Sequence, residues 1–197
     1  MIHGIDYFST VVRREDLPRL SLPEVAIVGR SNCGKSTLIN ILSSRRRLAY
    51  ASKTPGCTRT LNFFLVRERG FLVDLPGYGF SSVSRSEKSL WVGFIEDYLL
   101  TRCNLSGTIL ILDIRREVTA LDQQFLSWFK QTGVPVYIVL SKVDKISAAQ
   151  RKSTLHRVKD NIANNLGGMN LLPAIGMVSS LHKTGLESLT DVITSWF

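Results

Sequence analysis

Gly29-Arg30-Ser31-Asn32-Cys33-Gly34-Lys35-Ser36 is the stretch on which the reading of this chain turns. The octet has the form G-x4-G-K-[ST]. It is preceded by the apolar run Val25 to Gly29 and followed by Lys35 to Ser43, where apolar residues recur every three or four positions. A strand that ends in glycine and turns into a helix is the context in which this spacing does chemistry. Backbone N–H groups turn inward around phosphates, and the helix N-terminus adds partial positive charge. In such a cradle Lys35 reaches the β and γ phosphates and Ser36 ligates magnesium, while Gly29, Arg30, Ser31, Asn32, Cys33 and Gly34 supply the loop.

Outward from the loop, apolar runs alternate with helical patterns, the signature of a doubly wound α/β domain. Strands are expected at Val25 to Gly29, Leu61 to Val66, Phe71 to Leu75, Thr108 to Asp113, Val136 to Ser141 and Ala174 to Val178. Four of them are nearly all apolar, as parallel strands covered on both faces are. Leu61 to Val66, flanked by Arg67, Glu68 and Arg69, reads as an antiparallel or edge strand. Helices are expected at Lys35 to Ser43, Glu87 to Cys103, Leu121 to Thr132, Ala148 to Asn165 and Leu186 to Trp196. The sum is a six-stranded, mostly parallel sheet with helices on both faces. A length of 197 residues suits one such domain, taken as 23–197, with 1–22 as an N-terminal extension of no assigned structure. Gly167 to Asn170, before Pro173, read as a loop inside the domain.

Asp74-Leu75-Pro76-Gly77 follows the Phe71 strand and has the form D-x-x-G. A carboxylate at that strand end can hold magnesium through water, and Gly77 lets a backbone N–H approach the γ phosphate with no side chain in the way. Between the two motifs lies Thr54-Pro55-Gly56-Cys57-Thr58, continuing into Arg59 and Thr60. Either Thr58 completes the magnesium shell only when the γ phosphate is present, or the segment is a plain polar loop.

Ser141-Lys142-Val143-Asp144 ends the Val136 strand and resembles [NT]-K-x-D, the guanine-recognition motif of P-loop GTPases. The Asp144 carboxylate can accept from guanine N1–H and the exocyclic amine, while the stem of Lys142 covers the ring. Adenine lacks that donor pair, and sites built on hydrogen bonds reject an analogue without the donor by roughly 10⁴ to 10⁵. Val178, Ser179 and Ser180 resemble the final motif of the series, whose backbone N–H groups meet guanine O6; outside the series they would be an ordinary turn.

The formal charge of +9 and pI near 9.8 favour a polyanionic partner, or else are only a soluble surface. Solubility alone asks for a charge of roughly 2 to 8. Cys33, Cys57 and Cys103 have no metal or redox spacing and read as reduced thiols. No apolar run is long enough to cross a bilayer, and the N-terminus lacks an apolar signal region, so a cytoplasmic location is expected.

With GRSNCGKS, SKTPGCTRTLNFF, DLPGYGF, DIRREVTALD and SKVDK in this order, the chain from Pro23 onward resembles the EngB family of ribosome-biogenesis GTPases, within the TrmE-Era-EngA-EngB-septin group. The resemblance implies the P-loop GTPase fold and a monomer that binds GTP or GDP and hydrolyses GTP with Mg2+. It implies a switch that assists assembly of the large ribosomal subunit precursor through rRNA, with effects on cell division and septation, and with neither DNA nor membrane as partner. Catalytic roles fall on Lys35, Thr58 and Gly77, and the magnesium shell on Ser36, Thr58 and, through water, Asp74. The chain departs from the family pattern at Arg59 and Thr60, where a Gln usually follows the switch Thr. It departs again at Ser141, which bears on the tie to the phosphate loop.

Tyr78 stands where GTPases commonly carry a water-orienting Gln, so hydrolysis is expected to be slow alone or to borrow a group. Relatives suggest a potassium ion (K+) held by an Asn at the position of Asn32. The alternative is that Asn32 bonds its own backbone. Two rival readings stay open: an RNA-binding assembly factor whose nucleotide pocket is mainly structural, and a GTPase acting at the membrane or division site.

Overall fold

The computed structural model describes residues 2, 4–49, 60–67, 69–78, 85–165 and 172–197. The expectations for Thr54 to Arg59, for the loop beyond Tyr78 up to Ser84, and for Gly167 to Asn170 lie outside the described residues.

The strands are β1 (Ile5–Val11), β2 (Glu24–Gly29), β3 (Leu61–Val66), β4 (Gly70–Asp74), β5 (Leu105–Asp113), β6 (Val136–Ser141) and β7 (Ala174–Val178). The helices are α1 (Lys35–Leu42), α2 (Arg85–Thr101), α3 (Ala120–Thr132), α4 (Ala148–Asn165) and α5 (Leu186–Ser195). They form one α/β sandwich, with the sheet order β1-β3-β4-β2-β5-β6-β7. β2, β4, β5, β6 and β7 run parallel. β3 is antiparallel to β4 on one side and to β1 on the other.

The sheet therefore has seven strands and not six, and β3 is antiparallel but not at the edge. The seventh strand comes from the segment read as an extension. Its pattern hid it: Ile5 buries among residues of one sheet face and Val11 among those of the other. The cause is a register shift between Tyr7 and Ser9 that breaks the two-residue period.

Alternation along the central strands builds two cores. Ala26 and Val28 point into the layer with Tyr98, Phe125, Phe129 and Val158, beneath α2, α3 and α4. Val25 and Ile27 point into the layer with Leu38, Ile39, Leu189 and Ile193, beneath α1 and α5. One buried charge fixes α2 to the sheet. Glu24, fully buried, accepts from the Tyr98 hydroxyl at 2.8 Å and from Arg102 Nε, and Arg102 also donates to the Pro18 carbonyl at 2.7 Å. Removing one partner of such a pair typically costs about 3 to 5 kcal/mol.

Candidate functional site

The carboxyl ends of the parallel strands form the crevice where α/β sheets of this kind hold ligands. The phosphate-loop residues come together there. Gly34 has φ of 107° with open space where a Cβ would sit, so it is needed for its backbone conformation alone. Gly29 is different: a Cβ there would lie 2.6 Å from the Ile111 carbonyl oxygen and 2.7 Å from Cys33 Sγ, so its bareness serves the packing of loop on sheet. Cys33 is buried, which pushes its thiol up from the ordinary value. Lys35 Nζ donates to the Gly29 carbonyl at a long 3.4 Å, and Ser36 lies in the first turn of α1.

The D-x-x-G segment is laced to this loop. Both the N–H and the hydroxyl of Ser31 donate to the Tyr78 carbonyl, at 2.9 and 3.1 Å. A Cβ on Gly77 would stand 3.0 Å from Lys35 Nζ and 3.1 Å from the Ser31 backbone, so the two motifs meet at Gly77. Leu75 and Pro76 are buried behind them.

Asp74 is half-buried, and its buried Oδ1 lacks any hydrogen-bond partner. Burial pushes its carboxyl up to about 6, against the pull of Lys35. Such an orphaned oxygen is a cost that a ligand can remove. Asp74 at the end of β4 and the Ser36 hydroxyl in the first turn of α1 are hard oxygen donors, and they fit a magnesium ion. Among the described residues no group of three or more His, Cys, Asp or Glu is placed to hold a metal ion.

The base motif is tied to the same loop. The Ser141 hydroxyl donates to the Cys33 carbonyl at 2.7 Å and shares the Leu112 carbonyl at 3.2 Å. Serine therefore makes the link expected of the usual Asn or Thr. Lys142 holds a left-handed backbone, φ 59°, and its ammonium donates to the Asn32 carbonyl while pairing with Asp113 at 2.9 Å. Val143 is buried, and its carbonyl accepts from Arg151 Nε of α4 at 2.7 Å. Asp144 accepts from the Ser179 hydroxyl at 2.8 Å, which holds its carboxyl below the usual range, and Lys145 lies 3.3 Å away. Ser179 is in turn fixed by the His182 N–H at 3.1 Å, beside buried Val178 and half-buried Ser180.

Asp113, Arg115 and Arg151 are residues that sequence reasoning left without a role. Burial pushes the Asp113 carboxyl up, but hydrogen bonds from Arg115 and Lys142 outweigh it and hold the group well below the usual range. Arg115 grips it through Nε at 2.9 Å and Nη2 at 2.7 Å. A signal existed: Asp113 ends an apolar parallel strand, as Asp74 does, and so faces the crevice.

Tyr78 is buried. Its hydroxyl donates to Asp122 Oδ1, and its ring stacks on Phe125 with centroids 4.4 Å apart. Asp122 Oδ2 meanwhile caps α3 by accepting from the Thr119 N–H and hydroxyl at 2.7 Å each. The phenol thus belongs to the α3 packing and is spoken for. Arg30 of the loop reaches the Glu117 carbonyl at 3.5 Å. Asn32 has φ of 61°, which Asn tolerates. It is exposed, and its amide makes no hydrogen bond among the described residues, to its own backbone or otherwise.

Comparison with known proteins bears on the family and the fold. The family described as 50S ribosome-binding GTPase matches residues 24–142. A protein of Dechloromonas aromatica (strain RCB) named "Probable GTP-binding protein EngB" is 44% identical over 190 residues, covering 96% of this chain and 86% of its own. Among solved structures, a probable GTP-binding protein engB superimposes with a TM-score of 0.70 at 21% identity, covering 88% of this chain and 97% of that one. Era in complex with MgGDPNP and nucleotides 1506–1542 of 16S ribosomal RNA gives a TM-score of 0.65 at 24% identity, over 89% of this chain and 56% of that one.

Proposed function

The chain belongs to the EngB family of GTP-binding proteins and is a P-loop GTPase, and from that premise we propose that it is a slow, magnesium-dependent switch in assembly of the large ribosomal subunit. The single observation behind the reading is the meeting of a guanine motif and a phosphate loop through Ser141 and Lys142, next to an unpartnered Asp74 oxygen. Lys35 and the loop N–H groups bind the β and γ phosphates, Asp144 selects guanine, and the N–H groups of Val178 to Ser180 meet its O6. Ser36, Thr58 and Asp74 would hold magnesium, which would neutralise charge on the phosphate oxygens. Thr58 and Gly77 report the γ phosphate, so its loss changes the surface presented to a partner.

The Tyr78 hydroxyl is committed to Asp122, and no Gln stands beside it to orient water. Slow turnover follows. The exposed Asn32 amide would hold a potassium ion, which would supply positive charge in the manner of an arginine finger. Turnover that is equal in sodium and potassium would remove that role from Asn32.

The GTP-binding domain, whose sheet takes β1 from residues 1–22, serves as a cytoplasmic monomer. No helix among the described residues is long and apolar enough to cross a membrane. The net charge of +9 supports an rRNA partner, with cell division and septation affected through ribosome supply. Co-sedimentation of the GTP-loaded and GDP-loaded protein with large-subunit precursors tests the reading. The GTP form should bind and release steeply as salt rises. Equal, salt-insensitive association of both forms would overturn it.

A further inference from the structure

The sheet edge opposite the nucleotide crevice carries an arginine-rich ledge that the GTPase reaction does not use. Ile5 pairs with Val66 and Val66 with Gly70, at the end of the sheet away from Gly29 and Asp74. The C-terminal end of α1 meets β1 there: the Ile2 N–H donates to the Leu42 carbonyl at 3.0 Å, and Arg45 pairs with Asp6. From the other side the Arg67 N–H donates to the Gly4 carbonyl at 3.1 Å, and the Arg67 side chain covers the spot a Gly4 Cβ would take. Arg46 and Arg47 are exposed, and neither they nor Arg67 pair with a carboxylate among the described residues.

The next residue along β1 is aromatic. Tyr7 is 55% exposed and rests edge-on against Phe64 with centroids 6.2 Å apart, while its hydroxyl donates to Thr10 Oγ1 at 2.9 Å. Thr10 is itself tied to Asn62 Oδ1 at 2.7 Å. The ring is thus held at both ends in an open position. An exposed aromatic of this size on an edge strand is normally blunted or covered.

We propose that this ledge, with Arg46, Arg47 and Arg67 for phosphates and Tyr7 for a base, binds an unpaired stretch of RNA. Guanidinium forks match phosphate oxygens, and a fixed phenol ring gives a stacking platform that only an unstacked base can use. An acidic protein surface would satisfy the arginines and leave the ring without a purpose. Because Arg67 and the C-terminal end of α1 lie away from Asp74, and Tyr7 pairs with Phe64 midway along β1, short of the Asn62–Asp74 pair, RNA and nucleotide can be held together. The proposal rests on the ribosome-assembly reading and assigns it a contact surface.

Fluorescence anisotropy with a labelled 12-nucleotide oligouridylate tests the ledge by itself, using the full chain loaded with GDP. R46A/R47A should weaken binding and lower the slope of log K against log salt by about 1.4, since each phosphate contact on a single strand contributes about 0.7. Tyr7→Ala should weaken it roughly 5- to 150-fold while Tyr7→Phe keeps it, the range expected for one stacked base. GDP affinity and melting temperature of these variants report whether the fold is intact. Wild-type RNA affinity and salt slope in R46A/R47A would overturn the proposal. So would an unchanged Tyr7→Ala, which would leave only a nonspecific polyanion surface. Co-sedimentation of the unaltered chain with precursors separates the two readings: if it binds and the ledge variants bind equally well, the ledge is wrong and the assembly role stands.

Discussion

The two ends of the nucleotide site are built on opposite plans. At the base end the polar side chains already have protein partners: Ser141 on Cys33 and Leu112, Lys142 on Asp113 and Asn32, Asp144 on Ser179. At the phosphate end Asp74 Oδ1 has none, the Asn32 amide has none among the described residues, and Lys35 has one long bond at 3.4 Å. The difference separates preorganisation from ligand-dependent stability. On the proposed reading, guanine selection rests on groups fixed before the nucleotide arrives, whereas the phosphate end carries desolvated charge that the ligand relieves. Bound nucleotide then stabilises the fold by mass action, about 2.7 kcal/mol at a concentration of 100 Kd.

The largest effect should come from breaking the base end at its recognition point. Asp144→Asn removes the carboxylate proposed to take two donors from guanine, each charge-assisted bond being worth about 1.5 to 3 kcal/mol. GTP affinity should fall by about 10² or more, and xanthine nucleotides should be accepted better, because the new amide can donate to the xanthine carbonyl. Competition binding with GTP and XTP measures both. An unchanged preference for GTP would take the base-reading role away from Asp144.

At the phosphate end the two readouts should part company. Asp74→Asn removes a carboxylate whose Oδ1 is buried without a hydrogen-bond partner, so the ligand-free melting temperature should hold or rise, by a few degrees for about 1 kcal/mol. Magnesium-dependent GTP affinity should fall about 10-fold or more in the same variant, since the hard anionic donor is gone. Thermal melts with and without Mg·GTP report both numbers. A lower apo melting temperature together with normal Mg·GTP affinity would mean that Asp74 is a structural carboxylate.

Which parts of this were legible in sequence follows from the range over which each signal acts. The octet Gly29 to Ser36, Asp74 to Gly77 and Ser141 to Asp144 could be placed because each is a local string at the end of an apolar run. β1 was not, because its bulge erased the alternation that marks a strand, and its partner β3 lies about fifty residues on. The commitment of Tyr78 to Asp122 and of Lys142 to Asp113 was equally hidden. Both pairs span long stretches of chain, and charge or hydroxyl alone does not name its partner. The doubt that Ser141 raised as a departure from the motif dissolved for the same reason: the link to Cys33 needs only one hydroxyl at the right strand end.

The mildest test sharpens the comparison at a residue that touches neither base nor phosphate on this reading. Asp113 is buried, with Lys142 and Arg115 as its partners, and through Lys142 it braces the base motif on the Asn32 carbonyl. Asp113→Asn keeps the shape and removes the charge. Lys142 and Arg115 are partly exposed, so water compensates them in part, and the stability loss should be about 1 to 2 kcal/mol, less than for a wholly buried pair. The loosened Lys142 should raise the nucleotide off-rate by about 3- to 10-fold, taking roughly 1 kcal/mol of the lost hydrogen bonding as the penalty. GTP and GDP should be affected alike, because the base end does not sense the γ phosphate, and guanine should still be preferred over hypoxanthine because Asp144 is untouched. Stopped-flow release of a fluorescent GDP and GTP analogue, beside a thermal melt, separates the effects. A lowered melting temperature with unchanged off-rates would make Asp113 a support for the β5 end only, and a change confined to GTP would mean that the two ends of the site are not independent.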